Sequence, residues 1–207
     1  MSDRNYTAAV IGVGKARGGG GQRLQGFAIG HVHGDAFRRN PRVDLVAGVD
    51  INDDNLAFFC EKFHAPQRFN DYRRMLDELK PDLVSIGTYV GLHAEMIEAS
   101  AEAGVKGIVC EKPFVNSPAE LRRVREVLGR TGVKLVGGHM RRYLGVFQRA
   151  RELYSGGALG NPVMCMAGIP NWDLSEWGSH WLDMFRFLHE DRPVRWVLGQ
   201  GRVREHR

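Results

Sequence analysis

Two glycines separated by one residue, Gly12 and Gly14, directly follow the apolar run Ala8-Ala-Val-Ile11. At a strand end, the first glycine of such a triplet allows a tight turn and the second lets a pyrophosphate approach the backbone. A helix starting just beyond offers free N–H groups and the positive end of its dipole. Glycine occupies 26 of the 207 positions, so only the place of the triplet after a strand gives it weight. Gly30, just before His31-Val-His33, is the candidate third glycine because a helix starts there, and Gly18 is the alternative. The run Gly18 to Gly21 lengthens this loop. It reads either as a surface insert or as a flap that brings Lys15, Arg17 and Arg23 near the phosphates. Asp50 closes the second apolar run, where a carboxylate accepts hydrogen bonds from ribose hydroxyls and repels a 2′-phosphate. That favours NAD over NADP. Further along, His180 is a side chain that titrates near neutral pH. Glu176 lies four residues earlier, so on a helical segment the two share a face.

These residues need a scaffold, and the order of elements predicts one. Short runs that are apolar on both faces occur at Ala8-Ala-Val-Ile, Val43–Asp50, Leu83–Ile86, Gly107–Cys110 and Lys134–Gly137, as a buried parallel sheet requires. Between them, apolar spacing predicts helices over Asn52–Phe63, Tyr72–Leu79 and His93–Ala103, the last closed by Gly104. Ser117-Pro-Ala-Glu120 reads as a capping box opening another. The alternation predicts an α/β fold: a Rossmann doubly wound parallel sheet over residues 1–137. After Gly137 the pattern changes. Helices are expected over Tyr143–Tyr154 and Ser179–Leu188, with strands over Pro162–Ala167 and Arg195–Gly199. Residues 138–207 therefore read as the opening, incomplete part of an α+β substrate domain.

Composition bounds the rest. With 43% hydrophobic and 26% charged residues, the chain has ordinary globular proportions, and no apolar run is long enough to cross a bilayer. The N-terminus lacks a signal-peptide pattern, so the expectation is a cytoplasmic protein. The net charge of +5 comes from scattered arginines. Leu121-Arg-Arg-Val-Arg-Glu alternates at helical spacing as a wet helix face, so no nucleic-acid partner is expected. Cys60, Cys110 and Cys165 form no metal or redox spacing, and His31, His33, His64, His93 and His189 share none with carboxylates. No metal is expected.

At Cys110-Glu111-Lys112-Pro113 the pattern becomes recognisable: the chain resembles the Gfo/Idh/MocA oxidoreductases, the family of glucose-fructose oxidoreductase and inositol dehydrogenase. The resemblance rests on Val10–Gly14, Gly30-His-Val-His33, Val49-Asp50, Ser85-Ile-Gly-Thr-Tyr-Val-Gly-Leu-His93 and Glu111-Lys-Pro113. It continues through Val136-Gly-Gly-His-Met-Arg-Arg-Tyr143 and Trp177-Gly-Ser-His-Trp-Leu-Asp183. Tyr89 stands where the family commonly has proline, and Glu176 stands where it has aspartate.

The resemblance implies a nicotinamide cofactor, NAD ahead of NADP, held by Gly12, Gly14, Gly30, Asp50, Thr88, His93, Glu111 and Lys112. It implies hydride transfer to or from a secondary alcohol of a sugar, cyclitol or related polyol, with a homo-oligomer as a possible assembly. Lys112 would be the cation beside the developing alkoxide and His180 the general base, with Glu176 orienting the imidazole or sharing the proton relay. Glu111 reads alternatively as structural. Asp183, Arg141, Arg142 and Tyr143 are further candidates: Asp183 could cap or pair locally, while His139 and Arg142 would face the cofactor or substrate. Two other readings stay open: a glycosidase that retains NAD, and a cofactor-binding chain without catalysis.

Overall fold

The computed structural model describes residues 5–15, 27–160, 163–169 and 174–200. The chain divides into two compact units, Met1–Gly138 and His139–Arg207. The first unit contains strands β1 (Tyr6–Ile11), β2 (Val43–Val49), β3 (Gln67–Phe69), β4 (Leu83–Ile86), β5 (Gly107–Cys110) and β6 (Lys134–Gly137). They form one sheet in the order β3-β2-β1-β4-β5-β6, with every neighbouring pair parallel. This is a Rossmann sheet. The order reverses between β1 and β4, which places a crevice at the carboxyl ends of those two strands.

The central strands are covered on both faces, which is why β1, β2, β4 and β5 are largely apolar, whereas the edge strands β3 and β6 keep exposed positions. Successive side chains of β1 point to opposite faces. Ala9 and Ile11 join a core that includes Met75, Ile97, Ala101, Val124 and Val127. Val10 joins a smaller core with Leu45, Leu56, Phe59 and Phe63. The helices covering these faces are α1 (Ile29–Arg39), α2 (Asp53–Phe63), α3 (Tyr72–Leu79), α4 (Val90–Glu102) and α5 (Pro118–Thr131).

Local signals set where these helices start and stop. Asn52 accepts the Asn55 N–H at the start of α2, and Asp71 accepts the Arg73 N–H at the start of α3. Ser117 accepts the Glu120 N–H at 3.2 Å, while Glu120 reaches back to the Asn116 N–H at 2.7 Å. The expected capping box is thus present, with its return bond one residue before the cap. Helix α4 begins at Val90 rather than His93, because Tyr89 is extended (φ −72°, ψ 145°) and the helix turns immediately after it.

In the second unit a 3₁₀ turn, Met140–Tyr143, precedes α6 (Gly145–Ser155), and a π turn, Leu174–Gly178, precedes α7 (Ser179–Leu188). Arg151 lies 4.7 Å above the Phe187 ring, joining α6 to α7. The expected strands differ from what is found: residues 163–167 and 195–199 have no strand pairing, and residue 162 is outside the described residues. A strand persists only where a neighbour takes its N–H and C=O groups, and no strand is present among this unit's described residues. No helix among the described residues is long and apolar enough to cross a membrane.

Candidate functional site

The crevice is built first by its glycines. Gly12 and Gly14 have φ of +77° and +59°, a conformation that L side chains avoid. A Cβ on Gly12 would lie 2.6 Å from Thr88 Cγ2, and one on Gly14 only 1.8 Å from the Phe27 carbonyl oxygen. Gly30, in the first turn of α1, has no room either: a Cβ there would meet Val13 O at 2.5 Å and Gly12 O at 2.6 Å. The missing side chain lets α1 lie against the turn after β1. Gly18, the alternative third glycine, and Arg17 and Arg23 are outside the described residues. Gly30→Ala is expected to destabilise the unit by about 1–3 kcal/mol, since backbone must shift to admit the methyl. Urea unfolding reads this, and a variant as stable as the parent would show that α1 moves off the turn freely.

Asp50, one residue past β2, ties the two halves of the crevice floor together. Its Oδ2 accepts the Gly14 N–H at 2.8 Å and its Oδ1 the Asn52 N–H at 2.9 Å. Asn70 donates to the Asp50 carbonyl at 3.1 Å and to Asp53 Oδ1 at 2.8 Å. Above this floor lies a cleft of about 500 Å³, lined among others by Gly12, Gly14, Asp50, Asn70, Thr88 and Tyr89. A glycine turn that no Cβ can enter, a strand-end carboxylate and a cleft of this size fit a dinucleotide at the switch point. Of the implied cofactor contacts, Gly12, Gly14, Asp50 and Thr88 line this cleft.

His93 is used differently. It is 1% exposed, and its ring nitrogens lie 2.9 Å from Pro113 O and 3.0 Å from Thr88 O. The ring therefore spans the loops that follow β4 and β5 and holds them at a set separation. Both partners are backbone carbonyls, of which the single N–H of a neutral imidazole donates to one.

Glu111 is also gripped from within. Its Oε1 lies 3.2 Å from His33 Nε2, its Oε2 accepts the Lys112 N–H at 3.1 Å, and His33 Nδ1 contacts Ser85 Oγ. Burial works to raise the Glu111 carboxyl, but the His33 hydrogen bond and charge, with Lys112, hold it below the usual carboxylate range. This half-buried chain links β4, α1 and the end of β5, so Lys112 stands on a loop braced at both flanks. The Lys112–Pro113 peptide is cis. His31, by contrast, packs among Phe58, Phe59 and Phe63, with Nε2 3.3 Å from Gly14 O. Burial, then the Lys62 charge, lowers its pKa, which suits a neutral packing residue.

Within the second unit His180 is buried on α7, its ring centroid 5.9 Å from that of His139 and 6.1 Å from that of Trp177. Arg141 lies over Trp177 and Trp181, at 5.9 and 5.1 Å. Glu176 belongs to the π turn before α7, and its side chain is outside the described residues, so the expected shared face with His180 is too. Asp183 pairs with Arg142, 41 residues earlier in the chain, and not with a local partner. Arg142 Nε donates to both its oxygens at 2.7 and 2.9 Å, while the Arg142 Nη atoms grip Asp191 at 2.9 and 2.8 Å. Arg142 holds the Asp191 carboxyl down at about 2. Arg142 is thus a brace between the start of the unit and the end of α7. Asp191 carried no signal in the sequence, and neither did the His33–Glu111 contact. Only the motif Gly30-His-Val-His33 drew attention to His33, without a role.

The comparisons with known proteins agree with this layout. The model of the family GFO_IDH_MocA, described as an oxidoreductase family with an NAD-binding Rossmann fold, matches residues 7–139. D-apiose dehydrogenase of Paraburkholderia graminis is 28% identical over 181 residues, covering 80% of this chain and 48% of that protein. Myo-inositol 2-dehydrogenase of Thermotoga maritima is 27% identical over 178 residues, covering 83% and 52%. The chain spans about half the length of the curated relatives it matches. Scyllo-inositol dehydrogenase of Lactobacillus casei, solved with bound NAD(H) and scyllo-inositol, superposes with a TM-score of 0.74 at 18% identity. The match covers 89% of this chain and 56% of that one, a likeness of fold.

Proposed function

This chain belongs to the Gfo/Idh/MocA oxidoreductase family, whose members carry an NAD-binding Rossmann fold, and from that premise we propose that it takes part in hydride transfer between nicotinamide and a secondary alcohol. The substrate class we propose is a sugar, cyclitol or related polyol, in line with what the names of its relatives state of those proteins. The observation that carries the reading is the Asp50–Gly14 contact at the switch point. It sets a strand-end carboxylate against a turn that no side chain can enter.

When bound, the nicotinamide ring supplies the hydride acceptor or donor. The chain's own residues do the remaining work. Gly12 and Gly14 keep the turn free of side chains for a pyrophosphate, Gly30 lets α1 pack against that turn, and Thr88 adds a hydroxyl on the β4 side of the crevice. Asp50 accepts the ribose hydroxyls and disfavours a 2′-phosphate, which makes NAD the cofactor ahead of NADP. His93 and Glu111 hold the loops of the site by the hydrogen bonds described above. Lys112 offers its ammonium to the oxygen on which charge develops. His180 takes the hydroxyl proton, with Glu176 as its partner. Residues 1–137 then form the dinucleotide domain, and residues 138–207 begin the substrate domain.

A titration with NADH and NADPH, followed by nicotinamide fluorescence, tests this. Saturable NADH binding is expected, tighter than NADPH. Asp50→Ala is expected to weaken NADH roughly tenfold or more, the worth of hydrogen bonds to a charged group. Folded protein that binds neither nucleotide would sink the reading. Unchanged NADH affinity in Asp50→Ala would remove Asp50 from it.

A further inference from the structure

Phe27 and Tyr89 stand on the two loops that flank the crevice. Phe27 precedes α1, after the β1 turn, and Tyr89 precedes α4, after β4. Both line the cleft. Their ring centroids are 5.1 Å apart at an interplanar angle of 58°, so the pair bridges the gap between the loops. Neither ring is held by the core, since Phe27 is 50% and Tyr89 63% exposed. Tyr89 is also not needed to cap α4, because its side chain makes no capping bond. The Phe27 carbonyl oxygen lies 1.8 Å from where a Cβ on Gly14 would sit, so Phe27 is seated directly against the glycine turn.

We propose that the Phe27–Tyr89 pair is a self-made cover over the dinucleotide site, which must part before the ligand enters. The inference rests on the nicotinamide reading above. A ligand that binds only the parted form has its apparent affinity reduced by the fraction parted. A tilted aromatic pair lowers that fraction by roughly two- to tenfold. The two rings are therefore determinants of cofactor affinity that act against binding. Removing one strengthens it, which is the reverse of what a ligand contact does.

Stopped-flow mixing of the full chain with NADH, read by nicotinamide fluorescence, separates these cases. In Tyr89→Ala and Phe27→Ala the association rate is expected to rise by roughly two- to tenfold. Dissociation stays as in the parent, so Kd tightens by the same factor. Tyr89→Phe keeps the ring pair and is expected to match the parent. Faster dissociation with a weaker Kd in the alanine variants would overturn the proposal, since the rings would then be contacts of the bound ligand. Unchanged rates would overturn it too. Both results leave the nicotinamide reading intact. A parent chain that binds no NADH removes that reading and the cover together.

Discussion

Lys112→Ala is expected to lower the turnover of any polyol the protein oxidises by about 10²–10³-fold, the loss seen when one group aimed at developing negative charge is removed. NADH affinity should change by less than about threefold, because an interaction made mainly in the transition state leaves ground-state binding nearly untouched. The structure gives a reason to expect so clean a separation. Lys112 donates its backbone N–H to Glu111, Glu111 is held by His33, and His93 fixes the next residue, Pro113, by its carbonyl. Truncating the side chain leaves those backbone bonds in place. Steady-state rates at saturating NAD, set beside the fluorescence titration, read both quantities. Turnover within a few-fold of the parent would take Lys112 out of the chemistry.

Phe59→Ala should cost about 3–5 kcal/mol of stability, the range for emptying a fully buried aromatic site. Phe59 is 0% exposed and lies 4.7 Å from Phe63 and 5.3 Å from His31, centroid to centroid. Its ring fills the space left by two glycines on neighbouring elements. A Cβ at Gly34 of α1 would fall 2.8 Å from it, and one at Gly48 of β2 2.9 Å. Three elements, α1, α2 and β2, meet on this one side chain. Urea unfolding is expected to show a lower midpoint with an unchanged slope. A loss below about 1 kcal/mol would mean that α1 and α2 collapse onto each other readily. Because α1 also carries Gly30, the variant should bind NADH more weakly than the parent.

Much of the first unit could be read before any coordinates. Strands covered by helices are largely apolar, and the short apolar runs of β1, β2, β4, β5 and β6 are legible that way. Gly12, Gly14 and Asp50 were legible for a related reason: a strand end, a turn with positive φ and the acid that closes the second strand are defined by a few adjacent residues. Strand β3 was not legible, since Gln67–Phe69 has three residues and exists by pairing with β2. The same reason, reversed, explains the unpaired segments 163–167 and 195–199, which have strand composition and no partner among the described residues.

The glycine turn, the helix caps and the parallel-sheet character of residues 1–137 are thus written in the order of the amino acids. They depend on backbone conformation and burial over spans of a few residues, which composition and spacing control directly. The pairings that brace the site come from the tertiary structure. His33 meets Glu111 across 78 residues, His93 meets Pro113 across 20, and Arg142 joins Asp183 and Asp191 across 41 and 49. Phe27 reaches Tyr89 in the same way. Such contacts follow from strand order and helix packing, which bring distant segments together, and no local pattern in the chain records which of the available partners each side chain will meet.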